Sequence, residues 1–360
     1  MMSSGQDGLP ESSIPIFTTV KGYREWRRNA YKENKSVGFV ATMGALHEGH
    51  LSLVRRSLAE NDHTVLSIFV NPAQFAPHED LATYPRTLPR DLELLTAQSL
   101  DVTLPGLWSS IPGAGGVVTR KASAVFVPNV QEMYPSGIVQ DVSNQKGTFV
   151  EVKGYGDQME GKSRPTFFRG VATVVTKLFN VIEPTNTYFG QKDIQQALLL
   201  RRMCRDLLLS HPTPETLHIV PTSRDPSDGL ALSSRNAYLS TSGRRVASTL
   251  REALSAAQES WTNEGLTKSE SLEKAVEVVE KKKRWVEEEL NGEVNMRLDY
   301  IEMNDVDTFE VLDGDVKIGG EGAPKAVILS GALWVDKTRL IDNIILGDST
   351  LVFGPGGGKS

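Results

Sequence analysis

Between an apolar run, KSVGFVATM from Lys35 to Met43, and a segment carrying Leu51, Val54 and Leu58 at helical spacing lies TMGALHEGH, Thr42 to His50. The pattern reads as strand, turn, helix, with two imidazoles three residues apart, His47 and His50, at the helix start. A helix start exposes backbone N–H groups and the positive end of its dipole, and glycine lets a backbone approach a phosphate closely. The stretch Met43, Gly44, Ala45, Leu46, His47, Glu48, Gly49 and His50 is therefore expected to take a nucleotide. Both histidines would donate to phosphate oxygens as charge grows on them. An isolated H-x-x-H is more often a polar pair on a surface helix. Here the flanking strand, both glycines and the following helix favour the phosphate site.

The elements that position this turn follow from the same periodicities. HTVLSIFVNP contains Val65, Leu66, Ile68, Phe69 and Val70 as a nearly continuous apolar run, the mark of a strand covered on both faces, so Val37 to Val70 reads as a βαβ unit. Further strands are predicted at Asp101 to Leu104, Ala124 to Val127 and Leu217 to Val220, and a helix from Asp193 to about Leu209. The alternation predicts an α/β fold with a doubly wound parallel sheet. After PTSRDPSDGL the composition turns rich in Ala, Glu, Lys and Leu from about Thr241 to Leu290, and short apolar runs follow at Val327 to Leu329 and Leu340 to Leu346. A smaller C-terminal α+β domain is expected to begin near Pro221.

The expected organisation is a flexible N-terminus over 1–15, a nucleotide-binding domain over 16–220, a C-terminal lid domain over 221–350 and a flexible tail over 351–360. Gly113 to Gly116 and Ser136 to Gly147 read as surface excursions, within inserted segments near 107–123 and 137–147. GPGGGKS at Gly354 to Ser360 mimics a phosphate loop, but the glycine spacing is wrong and no helix follows. EKKKRWVEEEL, Glu280 to Leu290, reads as a solvated helix face.

Bulk composition narrows the function classes. Lys and Arg number 39 against 45 Asp and Glu, a net charge of -6, so there is no broad basic field for nucleic acid or an anionic membrane. Cys204 is the only cysteine, which excludes an intramolecular disulfide and a thiolate metal cluster and points to a reducing compartment, the cytosol. Neither a targeting pattern in MMSSGQDGLPESSIP nor a long apolar stretch is present, so a soluble, untargeted protein is expected.

The HEGH turn resembles the HxGH signature of a nucleotidyltransferase superfamily with a Rossmann-like fold. Four more motifs follow in order: FVNPAQF from Phe69, YPRTL from Tyr84, FGQKDIQQ from Phe189 and DGLALSSRNAYL from Asp228. The set resembles the pantothenate synthetase family, from about Ile16 to Leu346. The resemblance implies ATP-dependent joining of pantoate to β-alanine through an acyl adenylate, with His47, His50, Lys192 and Arg235 neutralising phosphate charge. ATP contacts are then also expected at Gly190, Gln191, Asp193, Ser223, Leu232, Ser233 and Ser234. Gln74 and Gln196 are expected to hold pantoate, with Asn71 and Tyr84 as further pantoate or β-alanine candidates. Asn71 also fits an Asn-Pro turn, and Asp193 also fits a helix cap, although the resemblance favours a ribose contact.

Mg²⁺ is expected to arrive with the triphosphate, so no protein metal ligand is assigned. The resemblance also implies a homodimer. Two departures stand out. RPTFFRGV, Arg164 to Val171, places Phe167 where the family carries histidine, and SRDPSDGL carries an extra residue before Asp228, next to the adenine contact assigned to Ser223. A nucleotidyltransferase acting on a phosphate shares the first motif but does not need FVNPAQF with FGQKDIQQ. A non-catalytic nucleotide-binding descendant would be expected to lose His47, His50, Lys192 or Arg235, and all four are present.

Overall fold

A strand buried on both faces needs helices above and below it, and the centre of this chain meets that need. In the computed structural model, which describes residues 8–77, 79–103, 116–320 and 322–354, β1 (Ile16–Phe17), β2 (Val37–Thr42) and β3 (His63–Ile68) open the chain. They are followed by β4 (Ser99–Thr103), β5 (Val117–Phe126), β6 (Asn186–Gly190) and β7 (Leu217–Val220). The order across the sheet is β1-β5-β3-β2-β6-β7, with β4 paired to β5. β2 lies parallel to β3, from Val37 against His63 to Thr42 against Ile68, and parallel to β6 on its other side. The α/β fold with a mostly parallel sheet is thus as expected. Its strand order reverses between β2 and β6, which puts the carboxyl end of β2 at the switch point where open α/β sheets bind ligands.

The βαβ reading of Val37 to Val70 holds, with the helix Glu48–Glu60 burying Leu51, Leu53, Val54, Ser57 and Leu58. Other boundaries moved. Asp101 to Thr103 belongs to β4, which runs antiparallel to β5 in an edge pair, while Ala124 to Phe126 is only the end of a ten-residue strand. The helix expected to reach Leu209 is Ile194–Asp206, and Leu208 then takes a left-handed φ of 52°. Residues 1–7, the tail from 355 and residues 104–115, which take in the end of the expected strand at Leu104, Gly113 to Gly115 and much of the insert near 107–123, lie outside the described residues.

The chain divides into two compact units: one up to Gly156 with Ser163–Phe189 and Leu199–His218, the other Asp157–Lys162 and Gly190–Leu198 with everything from Ile219. The second unit has its own core, in which the helices Thr249–Thr262 and Lys268–Glu289 bury Leu250, Leu254, Trp261 and Val279. They pack with an antiparallel sheet of β8 (Met296–Asp305), β9 (Ala326–Val335) and β10 (Thr338–Gly347), ordered β10-β9-β8. The charged run from Glu280 forms the outer face of the second helix, although Val286 and Leu290 turn inward to the core. Cys204 is buried and unbonded, and burial pushes its thiol up to about 12, so it is no nucleophile. Among the described residues no helix is long and apolar enough to cross a membrane.

Candidate functional site

Chain geometry at the end of β2 is set by two consecutive left-handed residues, Gly44 at φ 86° and Ala45 at φ 51°. Thr42 ties the turn to the next strand, its hydroxyl donating to the Ser67 carbonyl at 2.7 Å and accepting from Gly44 N at 3.2 Å. Ala45 N donates to Asp91 Oδ2 at 3.1 Å and Leu46 N to Asp91 Oδ1 at 2.8 Å. His47 then caps the helix Glu48–Glu60, its Nδ1 accepting from Gly49 N at 3.1 Å. That bond leaves the proton of a neutral ring on Nε2, as a donor. The His47 and His50 ring centroids lie 4.1 Å apart, so the two imidazoles form one patch.

An open row of backbone donors, expected from the sequence, is therefore only part of the picture. The amides of Gly44, Ala45, Leu46 and Gly49 already have partners within the chain. Beside these amides the turn carries two half-buried imidazoles. Glu48 is paired with Arg55 on the exposed side of the helix.

The second cluster of the same unit is the turn after β3. Asn71 is 1% exposed, its Oδ1 accepting from Ala73 N at 3.3 Å and from the Tyr134 hydroxyl at 2.7 Å. Its Nδ2 donates to Gln74 Oε1 at 2.9 Å and to the Gly170 carbonyl at 3.2 Å. With both ends occupied, Asn71 braces the turn, and its bond to Oε1 fixes which end of the half-buried Gln74 amide is Nε2, the donor. Oxygen acceptors, such as a carboxylate or hydroxyls, suit that donor.

Arg164 supports the same turn from behind, donating to the Gln74 carbonyl at 3.0 Å and pairing with Glu79 at 2.7 Å. Phe167, at the family's histidine position, lies 3.8 Å under the Arg164 guanidinium. It serves as a stacking floor for that arginine. Tyr84 is buried edge-on against Phe75, with ring centroids 5.8 Å apart.

In the other unit, Gly190 leads into the turn Gln191–Asp193 and the helix Ile194–Asp206. The side chain of Gln191, a residue expected at the nucleotide, is buried as a strut: Nε2 donates to Asn343 Oδ1 at 3.1 Å and Oε1 accepts from Thr222 N at 3.2 Å. Asn343 returns bonds to the carbonyls of Gln191 and Lys192 at 2.9 and 3.0 Å, fixing the backbone under Lys192. Lys192 Nζ is 3.7 Å from the exposed carboxylate of Asp193. Gln196 is half-buried beside Gln195, which is anchored to the Gln158 carbonyl at 2.8 Å and to Glu160 N at 3.0 Å.

The loop carrying Ser223 and Leu232 closes on itself, Leu232 N donating to the Ser223 carbonyl at 3.0 Å. Arg224 fastens it by a bidentate pair with Asp342 at 2.6 and 2.9 Å. Ser233 Oγ caps the next turn by accepting from Arg235 N at 3.3 Å, and Ser234 and Arg235 follow, both partly exposed. Arg244 braces Asp225 and Asp228. The Ser227 hydroxyl and Arg244 hold Asp225 below the usual carboxylate range, and Arg244 does the same for Asp228. Sequence reasoning missed Asp91, Tyr134 and Arg164. Only Arg164 lay in a quoted motif.

The sequence model of the family described as Pantoate-beta-alanine ligase matches residues 15–345. A pantothenate synthetase of Moorella thermoacetica is 41% identical, covering 92% of this chain and 99% of its own, and the pantoate-beta-alanine ligase of Saccharomyces cerevisiae is 39% identical over 92% and 100%. The crystal structure of pantothenate synthetase from Thermus thermophilus superposes with a TM-score of 0.70 at 37% identity, covering 92% of this chain and 99% of that one. The Francisella tularensis pantoate-beta-alanine ligase, solved with beta-gamma ATP and beta-alanine, gives a TM-score of 0.63 at 29% identity over 92% and 98%. The chain belongs to the pantoate-beta-alanine ligase family.

Proposed function

We propose that this protein condenses pantoate with β-alanine at the expense of ATP, through a pantoyl adenylate. The observation that carries the reading is the His47 and His50 pair, with rings 4.1 Å apart at a helix start on the carboxyl edge of a parallel sheet, in a member of this family. A carboxylate oxygen of pantoate attacks the α-phosphorus of MgATP in line, the bond to pyrophosphate breaks, and the β-alanine amine then attacks the acyl carbon and displaces AMP. Mg²⁺ carried by the triphosphate would neutralise part of its charge, and no residue of the chain is assigned to hold it.

His47 and His50 are assigned to the phosphate oxygens on which charge develops, with Lys192 and Arg235 neutralising the rest, because positioning and electrostatics carry most phosphoryl transfer. Ser233 and Ser234 add hydroxyl donors to the triphosphate. Asp193, exposed and held only loosely by Lys192, is free to accept from ribose hydroxyls. Gln74, whose Oε1 is held by Asn71, and Gln196 are assigned to pantoate, while Asn71 and Tyr84 are assigned to shape its pocket. We assign nucleotide and pantoate binding to residues 16–220 and further phosphate contacts to 221–350. The family resemblance supports a homodimer, and the lone buried Cys204 fits a reducing cytosol.

With ATP, pantoate and β-alanine together, AMP is expected to accumulate mole for mole with pantothenate. Chromatography of the nucleotides checks this. ADP in that stoichiometry would mean an acyl phosphate and overturn the reading.

A further inference from the structure

We infer that Asp91 is a positioning residue for nucleotide activation: an internal anion that occupies the backbone nest of the histidine turn and sets where His47 and His50 point. The inference rests on the ligase reading above. Asp91 lies on the helix Leu88–Thr96 and is 0% exposed. A carboxylate so buried needs hydrogen-bond donors on both oxygens. It has them: Leu46 N on Oδ1 at 2.8 Å, Ala45 N on Oδ2 at 3.1 Å, and the Thr87 hydroxyl at 3.2 Å from each.

Successive amides that converge on one point form a nest, the concavity that binds phosphate in many proteins. Here the nest is filled from within. The conformation that makes it is unfavourable for Ala45, whose φ of 51° is left-handed, so the turn depends on the anion it encloses. The fit is close, since a Cβ on Gly44 would lie 3.1 Å from Asp91 Oδ2 and 3.2 Å from Ile68 Cγ2. One residue beyond Leu46 comes His47, whose ring is already fixed to Gly49 N. Asp91 thus fixes the direction from which the imidazole pair is presented, and it reserves two amides that a phosphate would otherwise take. Phosphate charge is left to the side chains.

Asparagine has the shape of aspartate but only one accepting oxygen, and its NH₂ group would face a backbone N–H. Asp91→Asn is therefore expected to lower pantoate-dependent exchange of pyrophosphate into ATP about 100-fold, the cost of displacing reacting groups by about 1 Å. Release of pantothenate from preformed pantoyl adenylate and β-alanine should change less than about fivefold, because that step no longer needs the triphosphate aligned. Equal losses in both half-reactions, or no loss in either, would overturn the inference.

Should Asp91→Asn fail to fold, Thr87→Val carries the test. Thr87 makes no side-chain cap bond to its own helix, so its hydroxyl serves the carboxylate alone. That variant should lose about 3- to 10-fold in exchange only, as expected for one hydrogen bond. A wild type without exchange would overturn the ligase reading itself, and this inference with it. A normal wild type beside an unselective variant would overturn the inference alone.

Discussion

His50→Ala is expected to cut adenylate formation by about 100- to 1000-fold, or roughly 3 to 4 kcal/mol of transition-state stabilisation, the usual result of removing one preorganised donor from a developing oxyanion. The helix face that packs inward is Leu51, Leu53, Val54, Ser57 and Leu58, and His50 lies outside it. The helix cap belongs to His47 and Gly49, so it survives the change. Thermal melting followed by circular dichroism should therefore stay near wild type while activity falls. A melt that collapses together with activity would assign His50 to the fold instead, and full activity would remove it from the chemistry.

Gly170→Ala is expected to damage the pantoate side as severely, by a different route. Gly170 lies in the helix Phe167–Ile182, and a Cβ there would sit 2.1 Å from the Ala73 carbonyl oxygen, 2.5 Å from its carbon and 3.0 Å from Gln74 N. These are backbone atoms, so no side chain can swing aside. Either the helix or the turn Pro72–Gln74 must move, and with it the bond from Asn71 Nδ2 to the Gly170 carbonyl that helps orient Gln74. Overpacking of this kind typically costs about 1 to 3 kcal/mol of stability. A displacement of about 1 Å at Gln74 should lower kcat/KM for pantoate on the order of 100-fold. Pantoate saturation curves and a melt check both parts. Wild-type saturation kinetics would show that the turn can yield without moving the Gln74 amide.

The central βαβ unit was legible because strand burial and helix amphipathicity both act on neighbours in sequence, from Val37 to Val70. Phe167–Ile182 escaped for the opposite reason. FFRGVATVVTKLFNVI is rich in β-branched Val, Thr and Ile, whose local preference for strands opposes the helix that tertiary packing forms. β8 escaped because MRLDYIEMND carries its charges at 297, 299, 302 and 305, which breaks the strict alternation that marks a half-buried strand. The imidazole pair was legible, while Asp91 was not. In sequence it is one acidic residue in an ordinary helix, and its importance comes from two amides 46 and 45 residues away. Gln191 illustrates the same limit, since its side-chain partner Asn343 is 152 residues distant.

The central claim is that pantoate is activated at the α-phosphorus of ATP before the amine is needed. Incubation with ATP, pantoate and labelled pyrophosphate, without β-alanine, should incorporate label into ATP, and omission of pantoate should abolish the incorporation. The predicted result is exchange that depends on pantoate and is lost in His50→Ala. No exchange by a protein with a normal melt, or exchange that requires β-alanine, would contradict the account.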